Sequence, residues 1–362
     1  MKYKIDYYKL FITTAIILTL IGLFMINSAS QVWAEFKYGD KFYFSKRQLL
    51  FIVLGFILMF VLTKIKIEKL RKHTNKILIL IFVLLILVII PGVGVERNGS
   101  RSWFGIGSFA IQPAELFKVA IVLYVADKLE LNYLKTKSFI KGVIPILIPG
   151  LVGFGLIMLQ PDFGSGMVIV LSIILMTLIS RNKFSNYLKL SLVGILGLGA
   201  LILSAPYRLS RITAYIDPFS DPLGSGFQTI QSLFAIGPGG LLGLGIDGSL
   251  QKHFYLPEPQ TDFIFAIVCE EFGFIGAIIL ILLFMLLFYS GFNIVLNSNS
   301  EYQSFVVFGF LSVIGVQTLI NLGVVVGLLP VTGITLPFIS YGGSSLLVLL
   351  SMVGIIYAFK YE

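Results

Sequence analysis

A short polar stretch, LPEPQTDFIFAIVCEEFGFIG at 256–276, brings four carboxylates to the start of a long apolar run. The acids are Glu258, Asp262, Glu270 and Glu271. A carboxylate at a membrane surface can act as a general base that removes a proton from a hydroxyl group. Asp262 stands at the mouth of the apolar run and is the candidate for this chemistry, whereas Glu258 is peripheral.

The same stretch predicts a helix whose acids differ in depth. Pro257 and Pro259 disfavour helix before about residue 261, so the helix is predicted to begin at Thr261 or Asp262. Alternatively, Asp262 serves only as the N-cap of this helix. Glu270 and Glu271 then lie about 12–14 Å further along the axis. An acid at that depth costs about 2.5–3.5 kcal/mol unless it has a partner or water. This predicts a cavity supported by both acids, or alternatively an acid paired with a buried base.

Four basic residues outside the apolar runs are candidates for binding a phosphate-containing substrate: Arg101, Arg208, Arg211 and Lys252. The guanidinium fork matches phosphate oxygens, and positive charge stabilises a departing diphosphate as its charge develops. Together with a carboxylate base, this combination suits group transfer from a lipid diphosphate. The alternative is that each is a solvated surface charge.

Three further charged residues fall within or beside apolar segments. Glu115 and Lys118 are three residues apart and share one helix face. They form either a self-satisfied ion pair or part of a polar interior. Asp162 follows Pro161 at another membrane boundary and is a candidate to support the same cavity.

Motifs for nucleotide or metal chemistry are missing from the sequence. It has no G-x-x-x-x-G-K-[ST], no H-E-x-x-H and no Cys/His cluster. The glycine-rich GPGGLLGLG at 237–245 opens no nucleotide-binding unit and instead predicts tight turns or close backbone approaches. We therefore expect no cofactor and no dedicated metal site. A divalent cation is compatible with the several carboxylates, but no ligand spacing commits to one.

The elements that must position these residues are membrane helices. The chain of 362 residues is 57% hydrophobic and 12% charged, against about 25% charged in soluble domains. This composition predicts an all-α polytopic membrane protein with both termini in the cytoplasm. About 20 apolar residues cross a bilayer, and ten candidate spans result: 8–28, 47–65, 75–91, 111–127, 142–159, 165–180, 187–204, 262–289, 303–328 and 339–359.

Orientation follows from the basic residues. Most lysines and arginines outside the spans fall on the side that holds both termini, which the positive-inside rule places in the cytoplasm. This bias explains most of the net charge of +9 without a nucleic-acid partner. The longest non-spanning segment, 205–261, lies on the opposite, extracytoplasmic side, so that side is the expected working face of a single membrane domain over 1–362.

Several stretches resemble the SEDS family (shape, elongation, division and sporulation), the RodA/FtsW/SpoVE group. They cover the chain nearly end to end and read NGSRSWFGIGSFAIQPAELFKVA, LQPDFGSG, YRLSRITAYIDPFSDPLGSGFQTIQSLFAIGPGGLLGLGI, QKHFYLPEPQTDFIFAIVCEEFGFIG and NLGVVVGLLPVTGITLPFISYGGSS. LPEPQTDFIFA and DPFSDPLGSGFQ look more like the division and sporulation branch.

The resemblance implies ten spans and a peptidoglycan glycosyltransferase of the cytoplasmic membrane that polymerises lipid II during division, sporulation or shape maintenance. Asp262 matches the proposed base on the acceptor 4-hydroxyl, with undecaprenyl diphosphate as leaving group. Glu115 and Lys118 match an important pair of the fourth span, and Arg101 and Trp103 match an outer Arg-x-Trp. The resemblance also implies a class B penicillin-binding protein as partner.

Two other functions stay open at the level of sequence. Buried charges at Glu115, Lys118, Glu270 and Glu271 also suit a lipid II flippase with a polar path across the bilayer. The acids gather toward the outer half, which favours the enzyme. A non-catalytic scaffold that recruits a transpeptidase is the third hypothesis, and paired acids inside a span fit it poorly.

Overall fold

The computed structural model describes residues 5–97, 99–106, 109–132, 138–179, 183–203 and 205–362. The described chain contains twelve α-helices and a small three-stranded sheet. The helices are α1 Tyr7–Tyr38, α2 Tyr43–Leu62, α3 Ile67–Leu87, α4 Pro113–Leu131, α5 Ile144–Met158, α6 Phe163–Leu178, α7 Phe184–Leu203, α8 Pro206–Ile216, α9 Phe227–Gly239, α10 Ile264–Leu296, α11 Glu301–Val325 and α12 Gly343–Ala358. A π-helical turn, Phe139–Val143, leads into α5, and a 3₁₀ turn, Phe359–Tyr361, follows α12.

Each of the ten predicted spans coincides with one helix, in the order α1 to α7 and α10 to α12. Residues 180 and 204, the last of two predicted spans, lie outside the described residues. Within the described part of the chain, seven stretches are long and apolar enough to cross a membrane, and α6 is a shorter apolar helix. The fold is therefore a polytopic helical membrane protein, and the number ten stays a prediction.

Helix α4 lies at the centre of the bundle. It packs against α3, α5, α6, α11 and α12, and nearly every residue from Pro113 to Leu129 is buried or half-buried. Pro113 occupies its first turn, where the missing N–H costs nothing. The predicted start of this span at Ile111 was two residues early, because Ile111 still belongs to a strand.

The connections that were predicted to be extracytoplasmic contain more regular structure than expected. The strands β1 Val95–Arg97, β2 Ser100–Ile106 and β3 Phe109–Ile111 form an antiparallel sheet in the order β1-β2-β3. The segment 205–261, predicted as a loop, contains α8 and α9. Strands this short form because they pair with neighbouring strands. A local pattern of apolar residues does not reveal that pairing.

Helix α10 is interrupted at Gly273, where φ is 63° and ψ is −160°. The glycine-rich segment 240–245 lies in the gap and exchanges backbone hydrogen bonds with the helix. Four bonds of 2.9 to 3.1 Å join the two, from Leu244 N to Glu270 O, Gly245 N to Glu271 O, Phe274 N to Gly240 O and Ile275 N to Leu241 O. The predicted close backbone approach of this segment is thus confirmed.

Gly243→Ala tests this contact between segment 240–245 and α10. A Cβ at Gly243 would lie 2.2 Å from the carbonyl oxygen of Glu271, and its φ of +80° already disfavours alanine. We expect a loss of about 1–3 kcal/mol in the free energy of unfolding. Gly237→Ala is the matched control, because nothing lies within 4 Å of a Cβ there. Thermal unfolding in detergent measures both, and equal stability of the two variants would contradict the contact.

Candidate active site

Asp262 lies in the turn just before α10 and outside the helix. The helix begins at Ile264, two residues later than predicted, and its cap position is Phe263 with no side-chain cap bond. The alternative of Asp262 as an N-cap is therefore wrong. The Asp262 side chain is half-buried and accepts a hydrogen bond from Thr261 Oγ1 at 2.9 Å. The Asp262 carboxylate therefore does not cap the helix.

The electrostatic environment of Asp262 favours its protonated form. Burial raises the pKa of the Asp262 carboxyl above its ordinary value, and the charge of Glu258 adds to the shift. The hydrogen bond from Thr261 and the charge of Arg211 act in the opposite direction. A carboxylate whose pKa is raised in this way is a stronger base when ionised, which suits proton abstraction from a hydroxyl.

The backbone of Asp262 is fixed by a residue that the sequence analysis did not single out. The Asn321 side-chain amide on α11 donates to the carbonyls of Asp262 and Ile334, both at 2.7 Å. Asn321 is fully buried. Gln317, one turn earlier on α11, also lies inside the bundle. Polar residues at i and i+4 in an otherwise apolar helix were the available signal.

The predicted ion pair of α4 is present and is connected to α11. Lys118 Nζ donates to Glu115 Oε1 at 2.7 Å and to Gln317 Oε1 at 3.0 Å. The Gln317 amide in turn donates to the carbonyl of Thr335 at 3.0 Å. Glu115 and Lys118 are therefore part of a buried polar network and not a pair satisfied by itself.

Asp162 caps α6 and lies close enough to this network for their charges to interact. Its Oδ1 accepts from Ser165 N at 3.1 Å, and its Oδ2 accepts from the Gln112 amide at 2.6 Å. Burial raises the pKa of the Asp162 carboxyl, while the charge of Lys118 acts to lower it and the charge of Glu115 to raise it. Gln112, just before α4, is a third residue that the sequence analysis missed, after Asn321 and Gln317.

Glu270 and Glu271 are buried, and both bind the segment that precedes Asp262. Glu270 accepts from Ser249 Oγ at 2.5 Å and from the backbone N–H of Leu250 at 2.8 Å. Glu271 accepts from Lys252 Nζ at 2.9 Å and from Ser28 Oγ on α1 at 2.7 Å. The two acids thus hold the segment against the first turns of α10.

Lys252 lies apart from the three arginines with which it was grouped. It is buried, and its ammonium is held by Glu271, by Asp247 Oδ1 at 2.9 Å and by Ser28 Oγ at 3.3 Å. The alternative of a solvated surface charge is wrong for Lys252, because its partners come from α1, from α10 and from its own loop. Its geometry places it among the supporting groups.

Arg211 and Arg208 lie on α8, and the charge of Arg211 acts on Asp262. Arg211 is exposed and donates to the carbonyl of Val331 at 3.0 Å. It lines a cleft of about 540 Å³ with residues of the sheet, α9 and the α5–α6 turn, including Ser100, Pro161, Ser225 and Gln228. Arg208 instead donates to the carbonyl of Leu201 at 2.9 Å and stacks on Tyr207.

Arg101 and Trp103 lie on β2, two residues apart and so on one face of the strand. Arg101 Nη2 donates to Glu96 Oε2 at 3.0 Å across the β1–β2 pair, and Trp103 is opposite Val95. The hairpin borders the cleft through Ser100. Arg101 follows the lining residue Ser100 in the strand, and its guanidinium is engaged by Glu96.

A second depression, of about 600 Å³, lies at the end of the bundle that carries the C-terminus. It holds none of the predicted site residues and is lined by Ile12, Phe60, residues 63–66, Tyr357, Ala358, Tyr361 and Glu362. The cleft of about 540 Å³ is the candidate site, because Arg211, which lines it, acts electrostatically on Asp262. Among the described residues, no three His, Cys, Asp or Glu side chains form a group suited to a metal ion.

Comparison with known proteins shows similarity along the whole chain. A family model described as cell cycle protein, FtsW/RodA/SpoVE, matches residues 8–362. "Stage V sporulation protein E" of Bacillus subtilis (strain 168) is 50% identical over 347 residues, covering 96% of this chain and 94% of the relative. "Probable peptidoglycan glycosyltransferase FtsW" of Geobacter sp. (strain M18) is 39% identical, covering 94% and 93%.

Two solved structures have the same fold. A chain from "Structural coordination of polymerization and crosslinking by a peptidoglycan synthase complex" has a TM-score of 0.77 and 31% identity over 96% of each chain. The Thermus thermophilus rod shape determining protein RodA has a TM-score of 0.68 and 26% identity, covering 96% of this chain and 94% of that one. The predicted resemblance, including its sporulation and division branch, is confirmed. The chain belongs to the FtsW/RodA/SpoVE family of multi-pass membrane proteins.

Proposed function

We propose that this protein is a peptidoglycan glycosyltransferase that polymerises lipid II at the outer face of the cytoplasmic membrane. The observation that carries the proposal is Asp262, a half-buried carboxylate whose backbone is held by Asn321 and on which the charge of Arg211, a residue that lines the cleft, acts. The curated relatives named as probable peptidoglycan glycosyltransferases support the reaction class.

In the proposed reaction, Asp262 removes the proton from the 4-hydroxyl of the acceptor sugar. The hydroxyl oxygen forms a bond to the anomeric carbon of the donor sugar, and the bond from that carbon to the diphosphate breaks. Undecaprenyl diphosphate leaves with the bonding electrons. Arg211 is the proposed contact for its developing charge, and Arg208 and Arg101 add positive charge nearby. The reaction as written uses no cofactor.

Membership of an assembly is the second part of the proposal. The solved structure with the higher TM-score comes from a peptidoglycan synthase complex that couples polymerisation to crosslinking. We propose a class B penicillin-binding protein, a transpeptidase, as the partner of this chain in the membrane. Such a pair would place glycan synthesis beside the enzyme that crosslinks its product, in sporulation or division.

The function is tested with the purified protein, labelled lipid II and its transpeptidase in liposomes. Glycan chains resolved by gel electrophoresis are the expected product. Movement of lipid II across the bilayer without polymerisation would establish the flippase instead. Partner binding with no product in any condition would leave only the scaffold.

The rate of polymerisation should fall at low pH. Asp262 is a base only when ionised, and burial raises its pKa above the ordinary value of about 3.9. Activity is therefore present above the raised pKa and is lost as the pH falls through it. We expect the acid limb of the pH–kcat profile to lie above the ordinary range of aspartate. A profile flat down to about pH 4 would contradict the assignment.

A further inference from the structure

Residue Asn321 connects the reacting turn to the rest of the bundle. Its side-chain amide donates two hydrogen bonds of 2.7 Å, one to the Asp262 carbonyl and one to the Ile334 carbonyl. Both acceptors are carbonyl oxygens, so the amide nitrogen must face them, which sets the orientation of the side chain. Asp262 and Ile334 are 72 residues apart in sequence, and the Asn321 amide joins their two segments.

The same face of α11 reaches the ion pair of α4. Gln317 precedes Asn321 by one helical turn, accepts from Lys118 and donates to Thr335, the neighbour of Ile334. Asn321 and Gln317 thus bind adjacent residues of one connecting segment. All four side chains of this row are buried: Glu115, Lys118, Gln317 and Asn321. Rigid helix backbone therefore links the buried charges to the turn that carries the base.

We propose that Asn321 is a positioning residue for the Asp262 base, coupling it through α11 to the Glu115–Lys118 pair. This inference rests on the proposed function. Asp262 has no helical hydrogen bond of its own, since α10 begins at Ile264. Thr261 Oγ1 of the same turn binds the carboxylate, and the position of that turn depends on what holds its backbone, to which Asn321 donates directly. A displacement of about 1 Å at a reacting group lowers the rate by about 10²-fold.

The experiment measures kcat and KM for labelled lipid II with the full-length protein and its transpeptidase in liposomes. Asn321→Ala removes both donors, and Asn321→Ser retains a single hydroxyl donor. Thr318→Val is the matched control, because Thr318 is buried on the same helix and bonds only to Ile314 within that helix. Asp262→Asn is measured in parallel.

We expect Asn321→Ala to lower kcat by about 10²-fold, with KM within about twofold of wild type. Asn321→Ser should lower kcat by less than Asn321→Ala does, and Thr318→Val should have the kcat and KM of wild type. The acid limb of kcat should also move to lower pH, because a released turn admits water to the carboxylate. The charges that act on that carboxylate, Glu258 and Arg211, are unchanged in every variant.

Three results would overturn the positioning role. They are a raised KM with normal kcat, an equal loss in Thr318→Val, and an acid limb that does not move. Failure of both Asn321 variants to fold in detergent would also overturn it, since Asn321 would then be a general structural residue. If Asp262→Asn keeps full activity, the proposed base is wrong. If Asp262→Asn is inactive but Asn321→Ala is normal, the positioning inference alone fails.

Discussion

Asp262→Asn is expected to abolish glycan polymerisation while leaving the protein folded. The substitution keeps the size of the side chain and an oxygen that can accept from Thr261 Oγ1, now 2.9 Å from Oδ1. It removes the group that takes the proton, and general-base catalysis contributes about 10²–10⁴-fold to a rate. Gel analysis of labelled product measures the loss. Binding of lipid II should persist, because the arginines of α8 are untouched.

Glu258→Gln is the matched control for this variant. Glu258 lies four residues earlier in the same segment, is exposed, and has no place in the proposed reaction. At neutral pH it should polymerise as wild type does, and its acid limb should move to lower pH, because the charge of Glu258 raises the pKa of Asp262. Full activity of Asp262→Asn, or an equal loss in Glu258→Gln, would remove Asp262 from the role of base.

Lys252→Met is expected to cause the largest loss of stability. The Lys252 side chain is 3% exposed, and its ammonium binds Glu271, whose side chain is fully buried, together with Asp247 and Ser28. Removing one partner of a buried pair leaves an uncompensated charge, at a cost of about 3–5 kcal/mol. Unfolding in mixed micelles measures this loss. Segment 240–252 should also become more accessible to protease.

Two comparisons sharpen the Lys252 prediction. Adding Glu271→Gln to Lys252→Met neutralises the stranded carboxylate and should restore part of the stability. Lys46→Met is the same substitution at an exposed pair with Asp40, where the two side chains are 67% and 37% exposed. Exposed pairs contribute about 0–1 kcal/mol, so this control should change little. A Lys252→Met variant as stable as the Lys46→Met variant would contradict the structural role.

Helix α10 follows the reacting residue Asp262 at its start and also holds the preceding loop through its buried acids. Glu270 and Glu271 bind the segment that leads to Asp262, while the interruption at Gly273 opens the helix backbone to residues 240–245. The chain passes this break at residues 240–245 and then continues through the loop to the first turn of α10. These contacts hold the start of α10 in a fixed position relative to the loop before it. They also give Glu270 and Glu271 partners, which removes the cost of placing acids against lipid.

The sequence by itself determined the membrane class, the helix positions and the candidate base. Each apolar segment coincides with a helix, because hydrophobic length is a property of consecutive residues and lipid tolerates no unpaired backbone. Asp262 was singled out because its neighbours are polar on one side and apolar on the other. These are local features, and no distant contact was needed to recognise them.

Only the tertiary structure decided which polar groups meet. Asn321 lies 59 residues from Asp262, and Gln317 lies 199 residues from Lys118, so no local pattern joins them. The same holds for Lys252, whose partner Ser28 is 224 residues away. The physical reason is that a buried hydrogen bond depends on where whole helices pack, whereas the helices themselves form from the residues within them.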